Sequence, residues 1–390
     1  MDRRLHAVVL PPGPRLFAAL AAALDGTGPA ICPISPDLPG PARTALLDAL
    51  APHAVETADG VTPYRPRSAC APIAGIPAGP DTAVLIATSG STGTPKIVEL
   101  SAPALRASAT ATLQRVRAEP GDRWLCCLPT SHIAGVQVLV RALVAGTEPV
   151  IQPRFDPTAV ADADAAHLAV VPTQLRRLLD AGTDLSKFRS ILLGGAAAPD
   201  GLLTAARERG ARVLTTYGMS ETSGGCVYDG LPLDGVRLDI DAEGRIRLAG
   251  PVLFTGYRLR PRLTASVRDG DWFVTRDLGV VENGRLRVRG RVDDVINTGG
   301  EKVVAGEVAA ALARHPGIRD AVVVGRPDPE WGERVTAVVV PGDHAPTLAE
   351  LRDWIRRTMP ACAAPRELEL LPEIPLLPSG KPDLERLRRP

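Results

Sequence analysis

The sequence predicts an α/β chain with a large first domain of helix-covered, mostly parallel sheets, a small antiparallel β subdomain and a small α+β C-terminal domain. Three observations carry this. Short apolar runs alternate with helix-period segments from about residue 81 to 220. After Gly235 the runs become short and alternating, with Glu243-Gly244 and Asn283-Gly284 as hairpin signals. From Asp293 onward helical and strand patterns mix over a short span. At 390 residues the chain exceeds one ordinary core, so two or three domains are expected.

Taken in order, the runs at 83–86, 124–128, 168–171, 191–193 and 213–216 read as strands, with helices over 104–118, 134–145, 173–181 and 200–210 between them. Pro103 stands just ahead of the first of these helices, where a missing N–H costs little. Such alternation specifies a parallel sheet, and ligands then sit at the carboxyl ends of its strands. The antiparallel strands are expected at 236–240, 245–248, 272–275, 280–281 and 286–288. The last region reads as a helix over 305–315, strands at 321–324 and 335–340, a helix over 348–359 opened by the capping box Thr347-x-x-Glu350, and a strand at 367–371. No internal repeat or low-complexity linker intervenes, so the boundary is expected to be a tight hinge.

Composition narrows the function. With 45 basic against 44 acidic residues and 3 % aromatics, nothing marks a nucleic-acid or anionic-membrane surface. Six cysteines, Cys32, Cys70, Cys126, Cys127, Cys226 and Cys362, form no CxxC pair and no metal-like cluster with the six histidines, so structural burial is expected. No apolar run approaches the ~18 residues of a membrane span, and the short stretch after Met1-Asp2-Arg3-Arg4 does not read as a leader. A cytoplasmic location is expected.

The chemistry concentrates in the loop Thr88-Ser89-Gly90-Ser91-Thr92-Gly93-Thr94-Pro95-Lys96, which follows an apolar run. Glycines let backbone N–H groups approach a phosphate, hydroxyls add donors and the lysine adds compact charge. Only two residues separate Gly90 from Gly93 and Ile97 follows Lys96, so this is not a Walker A loop; a GxSxG nucleophile elbow is also absent. A flexible Ser/Gly loop between a strand and a helix is the bland alternative.

Five segments, in order, resemble the adenylate-forming superfamily of acyl-CoA synthetases, peptide-synthetase adenylation domains and luciferases, across roughly residues 80–385. The loop is the first, and the resemblance assigns Thr88, Ser89, Gly90, Ser91, Thr92, Gly93 and Lys96 to the β- and γ-phosphates of ATP. In the second, Thr216-Tyr217-Gly218-Met219-Ser220-Glu221, it gives Tyr217 to the adenine ring and Glu221 to Mg²⁺, with Thr216, Gly218 and Ser220 around the nucleotide; a buried tyrosine and a solvated glutamate would be the bland alternative. The third, Trp272 to Gly279, assigns Asp277 to the ribose hydroxyls, with Arg276 where the family has glycine. In the fourth, Gly290 to Lys302, Arg291 reaches the nucleotide, Asp293 is the interdomain hinge and Gly300 lines the pantetheine tunnel for coenzyme A. In the fifth, Lys381 bridges the attacking carboxylate and the α-phosphate.

The segment from Pro129 to Arg141 resembles the substrate side of o-succinylbenzoate-CoA ligases of menaquinone biosynthesis. It makes His132 a substrate-binding and catalytic candidate beside Ser131, with Gly194, Gly195 and Ala196 lining the acyl pocket; Gly195 and Ala196 are also assigned to the nucleotide. Capping by Ser131 and a core role for His132 are the alternatives. Thr130, Ser131 and Arg141 are candidates for a second carboxylate. The implied domains are an AMP-binding domain over 1–292, with its β-rich subdomain at about 235–292, and a mobile C-terminal domain over 293–390. Only 87 residues precede Thr88, so the front is read as compressed. The implied activity is ATP- and Mg²⁺-dependent acid–CoA ligation, 2-succinylbenzoate being the expected acid. Another aryl or acyl acid, a carrier-protein phosphopantetheine acceptor and a regulatory nucleotide-binding module are the competing readings. A small-molecule acid and coenzyme A are the expected partners, and a homodimer is left open.

Overall fold

The computed structural model of the chain describes residues 2–66, 75–88, 96–377 and 382–389. They fall into two compact units: Met1–Gly195 with Ala206–Arg237 and Leu248–Phe273, and Ala196–Ala205 with Leu238–Arg247 and Val274–Pro390.

The first unit holds two seven-stranded sheets. In one, β1 (Leu5–Val8) pairs in parallel with β2 (Ala30–Pro33) and β3 (Ala54–Thr57), β3 turns into β4 (Gly60–Pro63), and β2 pairs in parallel with β5 (Thr82–Thr88). The sequence reading assigned no strands to this front segment, because its apolar runs are only four residues long and broken by prolines. The first five residues of β5 are buried, as a central strand covered on both faces requires. Leaving the loop, the chain forms a second strand, β6 (Lys96–Ser101), antiparallel to β5, where the bland reading expected a helix. The helix begins only at Ala102, with Ser101 as its cap: Ser101 Oγ accepts from the Ala104 N–H at 3.2 Å.

The second sheet comprises β7 (Trp124–Cys126), β8 (Val150–Ile151), β9 (His167–Val170), β10 (Ser190–Leu193), β11 (Val213–Met219), β12 (Gly224–Tyr228) and β13 (Leu231–Pro232). It is parallel from β8 to β11, as the alternating pattern predicts, and antiparallel at β12 and β13. The helices Ile133–Ala145, Pro172–Asp180 and Asp200–Glu208 lie where the 3.6-residue period places them.

After Gly235 come β14 (Arg237–Ile240), β15 (Arg245–Ala249), β16 (Gly256–Tyr257), β17 (Arg268–Asp269), β18 (Trp272–Glu282) and β19 (Arg285–Arg291). The two runs expected at 272–275 and 280–281 are one continuous strand. It pairs with β19 around Asn283-Gly284, whose φ angles of 52° and 74° are those of a primed two-residue hairpin. Short β16 was not expected; it pairs antiparallel with β6, Tyr257 opposite Val98.

The C-terminal part of the second unit holds β20 (Val295–Thr298), β21 (Glu301–Val304), β22 (Ile318–Asp328), β23 (Gly332–Pro341) and β24 (Glu367–Leu370), in the order β21-β20-β23-β22 with β24 parallel to β23. The helices Ala305–Leu312 and Leu348–Arg356 bury Val308, Leu312, Leu351 and Ile355 in one cluster with Val335, Ala337 and Val339. The predicted capping box is present: Glu350 Oε2 accepts from the Thr347 N–H at 2.7 Å and Thr347 Oγ1 from the Glu350 N–H at 3.3 Å.

Cys32, Cys126, Cys127 and Cys226 are buried free thiols, their pKa pushed up to about 12 by burial; Cys362 is half-buried and free, and Cys70 lies outside the described residues. Among the described residues no helix is long and apolar enough to cross a membrane.

A buried histidine gives the first unit a pH dependence. His167 opens β9 with Nδ1 2.8 Å from Ser190 Oγ and Nε2 3.2 Å from Asp122 Oδ2, and it has no exposure. The order of groups is that of a hydrolase triad, but Ser190 is wholly buried, so no substrate reaches it. Burial lowers the His167 pKa more than Asp122 raises it. The unfolded chain therefore binds the proton more readily, and stability must fall as pH drops below about 6.5, the free histidine value. Urea unfolding at a series of pH values should show this loss, with a shallower slope in His167→Gln; an unchanged slope would remove His167 from the account.

Candidate active site

In the first unit the two residues that flank the Ser/Gly-rich segment are paired. Thr88 and Lys96 face each other across β5 and β6, and Thr88 Oγ1 donates to the Lys96 carbonyl at 3.2 Å. Ser89, Gly90, Ser91, Thr92 and Gly93 lie outside the described residues. Ile97, the departure from the family's glycine, is a strand residue facing the core with Leu5 and Leu85.

The pairing of β6 with β16 brings a residue that the sequence reading missed beside this lysine. Lys96 Nζ lies 5.7 Å from the centroid of the Tyr257 ring. The Tyr257 hydroxyl donates to Glu221 Oε1 at 2.8 Å, and the Phe254 N–H donates to the Glu221 carbonyl at 2.9 Å. Burial, reinforced by the Glu221 charge, holds the phenol pKa far above its usual range. Tyrosine is rare here, four in the chain, and that rarity was the one available signal.

Glu221 sits in the short 3₁₀ turn Ser220–Thr222 that ends β11, so Thr216, Tyr217 and Gly218 lead directly to it. Gly194 and Gly195 follow β10, placing them with Thr216 at the carboxyl ends of parallel strands. Both β11 and β10 need glycine here. A Cβ on Gly218 would lie 2.1 Å from the Gly224 carbonyl oxygen, and Gly195 has φ 84°. Ser220 is buried, and Ala196, the next residue after Gly195, is exposed.

Farther along the first unit, His132 occupies the N-cap position of the helix Ile133–Ala145 in extended conformation and is half-buried, as is Ser131; Thr130 is buried. No side-chain cap bond forms at this terminus, so capping by Ser131 is not what the fold uses, and His132 is not a core residue. Arg141 lies nine residues farther along the same helix, roughly 13 Å at 1.5 Å per residue. Its guanidinium lies 5.0 Å over the Trp124 ring at the start of β7, with Tyr228 as hydrogen-bond partner and its Nε unsatisfied. Burial lowers its pKa. The helix therefore separates Arg141 from His132.

In the second unit, β18 and β19 set Asp277 opposite Arg291. Asp277 is 7 % exposed, and its N–H donates to Thr275 Oγ1 at 3.0 Å. Arg291 Nη1 meets Asp277 Oδ1 at 3.2 Å, and Nη2 meets Asp293 Oδ2 at 3.4 Å. Burial depresses the Arg291 pKa, but Asp277, Asp293 and Asp294 outweigh it and hold the group above its usual value. Arg276, in the family's glycine position, pairs with Asp293, while Arg388 donates to Asp294 Oδ1 at 2.7 Å and to the Asp293 carbonyl at 3.4 Å. Gly299 and Gly300, with φ of 60° and 85°, form the turn between β20 and β21. Lys381 lies outside the described residues.

Mg²⁺ takes one or two carboxylates plus phosphate and water oxygens rather than a protein cage. Glu221 fits that demand: one carboxylate oxygen is held by Tyr257, and the other makes no hydrogen bond among the described residues. Among those residues no group of three or more His, Cys, Asp and Glu could hold a metal by itself.

Comparison with known proteins bears on the chain as a whole. Residues 5–260 match the model of the AMP-binding enzyme family, and residues 307–381 that of the AMP-binding enzyme C-terminal domain. The chain is 44 % identical over 326 residues to a probable 2-succinylbenzoate–CoA ligase of Mycobacterium tuberculosis, covering 79 % of this chain and 84 % of the relative. It is 31 % identical over 367 residues to the 2-succinylbenzoate–CoA ligase of Escherichia coli, covering 90 % and 80 %. Among solved structures it is similar to the o-succinylbenzoate CoA synthetase of Bacillus subtilis in complex with the acyl-adenylate intermediate OSB-AMP (TM-score 0.83, 27 % identity, 99 % and 88 % covered). It is also similar to an amide bond synthetase of Marinactinospora thermotolerans (TM-score 0.86, 27 % identity, 99 % and 90 % covered).

The glycine at 218 gives a direct test of the β11–β12 geometry. Gly218→Ala should lower the unfolding free energy by about 1–3 kcal/mol, because backbone must shift to admit the methyl group. Urea denaturation reads this; wild-type stability would show that the two strands do not approach so closely.

Proposed function

The chain belongs to the AMP-binding enzyme family, and we propose that it acts there as an ATP-dependent 2-succinylbenzoate–CoA ligase of menaquinone biosynthesis. The observation that carries this reading is the 44 % identity to a probable 2-succinylbenzoate–CoA ligase across 84 % of that relative's length. The substrate assignment rests on such relatives, because the fold is shared with a protein named an amide bond synthetase and fold alone does not fix function.

A carboxylate is a poor acyl donor because its oxygen is a poor leaving group. In the proposed first step a carboxylate oxygen of the acid attacks the α-phosphorus of ATP, the bond to the bridging oxygen breaks, and pyrophosphate leaves. In the second the thiolate of coenzyme A attacks the acyl carbonyl and AMP leaves. The protein's contribution is positioning and charge neutralisation. Thr88, Ser89, Gly90, Ser91, Thr92, Gly93 and Lys96 are assigned to the β- and γ-phosphates, Tyr217 to adenine, and Asp277 with Arg291 to the ribose side. Lys381 is assigned to the attacking carboxylate and the α-phosphate. Mg²⁺, held by Glu221, would neutralise phosphate charge. Gly194, Gly195, Ser131 and His132 are placed around the acyl group, Asp293 is the proposed hinge, and Gly300 is assigned to the thioester step. The Gly299-Gly300 turn supports the last assignment: a Cβ on Gly300 would meet nothing within 4 Å among the described residues, which leaves that backbone open to a ligand. A cytoplasmic setting goes with this reading, since the buried free thiols suit a reducing compartment.

Two measurements test the proposal. With ATP, Mg²⁺ and coenzyme A, a panel of carboxylic acids read by mass spectrometry should give the thioester of 2-succinylbenzoate; a thioester from another acid and none from this one would overturn the substrate. Lys381→Ala should lose acid-dependent pyrophosphate release by about a hundredfold or more yet still form thioester from supplied acyl-adenylate. Equal loss of both half-reactions would remove Lys381 from the adenylation step.

A further inference from the structure

Tyr257 lies in none of the segments that carry the family resemblance, yet it touches two of them. The residue is 6 % exposed and is fixed from three sides. Its backbone pairs with Val98 of β6, its N–H donates to Thr264 Oγ1 at 2.9 Å, and its ring packs against Phe254 at 5.0 Å between centroids. From that position the hydroxyl reaches Glu221 Oε1 at 2.8 Å and the ring face meets the Lys96 ammonium at 5.7 Å. A glutamate side chain has three rotatable bonds. A rigid donor on one oxygen removes much of that freedom and leaves the second oxygen to a ligand.

We propose that Tyr257 is a positioning residue for ATP activation: its hydroxyl orients the Glu221 carboxylate for the divalent cation, and its ring steadies Lys96 for the terminal phosphates. The inference rests on the assignment of Glu221 to the cation made above. It explains why an aromatic residue with a hydroxyl stands at this point of β16. Phenylalanine would keep the packing and the lysine contact, but it would leave Glu221 free to rotate.

Equilibrium ATP binding without acid substrate tests it on the full chain, by calorimetry in EDTA and across a Mg²⁺ titration, beside thermal melting. Tyr257→Phe should keep the wild-type affinity in EDTA and need about tenfold more Mg²⁺ to reach half of the magnesium-dependent gain, the size of effect typical for outer-sphere partners of metal ligands. Tyr257→Leu should in addition weaken ATP binding in EDTA, because Lys96 loses its support. Glu221→Gln should lose the magnesium-dependent gain. If Glu221→Gln keeps the full gain, the cation assignment itself fails. If Glu221→Gln loses the gain while Tyr257→Phe titrates like wild type, the cation assignment stands and the role of the hydroxyl is overturned. Equal affinities of the Leu and Phe variants in EDTA would overturn the role of the ring.

Discussion

The antiparallel strand β6 is the constraint on which the surroundings of Lys96 and Glu221 in the first unit depend. One edge of β6 pairs with β5, which closes the loop between Thr88 and Lys96; the other pairs with β16, which carries Tyr257. Because strand neighbours stand about 4.8 Å apart, the pairing of β6 with β16 brings Lys96 and the tyrosine within reach of each other. Thr88 and Lys96, the residues on either side of the Ser/Gly-rich segment, are thus held by the β5–β6 ladder itself.

Holding β16 in place falls largely to the residue after Tyr257. Arg258 is 5 % exposed and donates to the carbonyls of Leu50, Pro77 and Ile76 at 3.2, 2.7 and 2.5 Å, and to Glu99 Oε1 at 3.3 Å. A buried guanidinium is tolerable only when its donors are so occupied. Glu99 shows the opposing cost, since burial raises its pKa against the pull of Arg258. Arg141 is the contrasting case. It is equally deep but meets an indole face and a phenol, and one donor is left unsatisfied.

In the second unit the departures from the family pattern form a local charge network. Arg276 replaces a glycine on β18 and pairs with Asp293, which also meets Arg291; Arg388 binds the adjacent Asp294. In the family pattern a glycine at position 276 would suit a turn. The place of Arg276 inside the eleven-residue strand β18 shows that no turn is present, so its side chain is free to reach the aspartate. Pairs this exposed contribute little each, about 0–1 kcal/mol, and are weakened by salt. The more buried contact of Arg291 with Asp277 is the one that fixes side-chain geometry.

The sequence by itself determined the α/β class, the helices and parallel strands from Trp124 to Met219, the Asn283-Gly284 hairpin, the Thr347–Glu350 capping box and the ordered motifs of an acid-activating enzyme. Each is written in local signals: periodicity of 2 or 3.6, positive-φ residues, or a fixed spacing of polar groups. Which distant segments meet is set by the folded chain as a whole. Nothing in the local pattern of Gly256-Tyr257 announces that it pairs with residues 98–99, or that a tyrosine thirty-six positions after Glu221 holds its carboxylate. The four-residue strands at the front were equally silent, since a short apolar run between prolines has no period of its own. Such pairings follow from the register and twist of a whole sheet and from burial shared among segments far apart in the chain, so the family was legible in the sequence while the contacts around Glu221 and Lys96 were not.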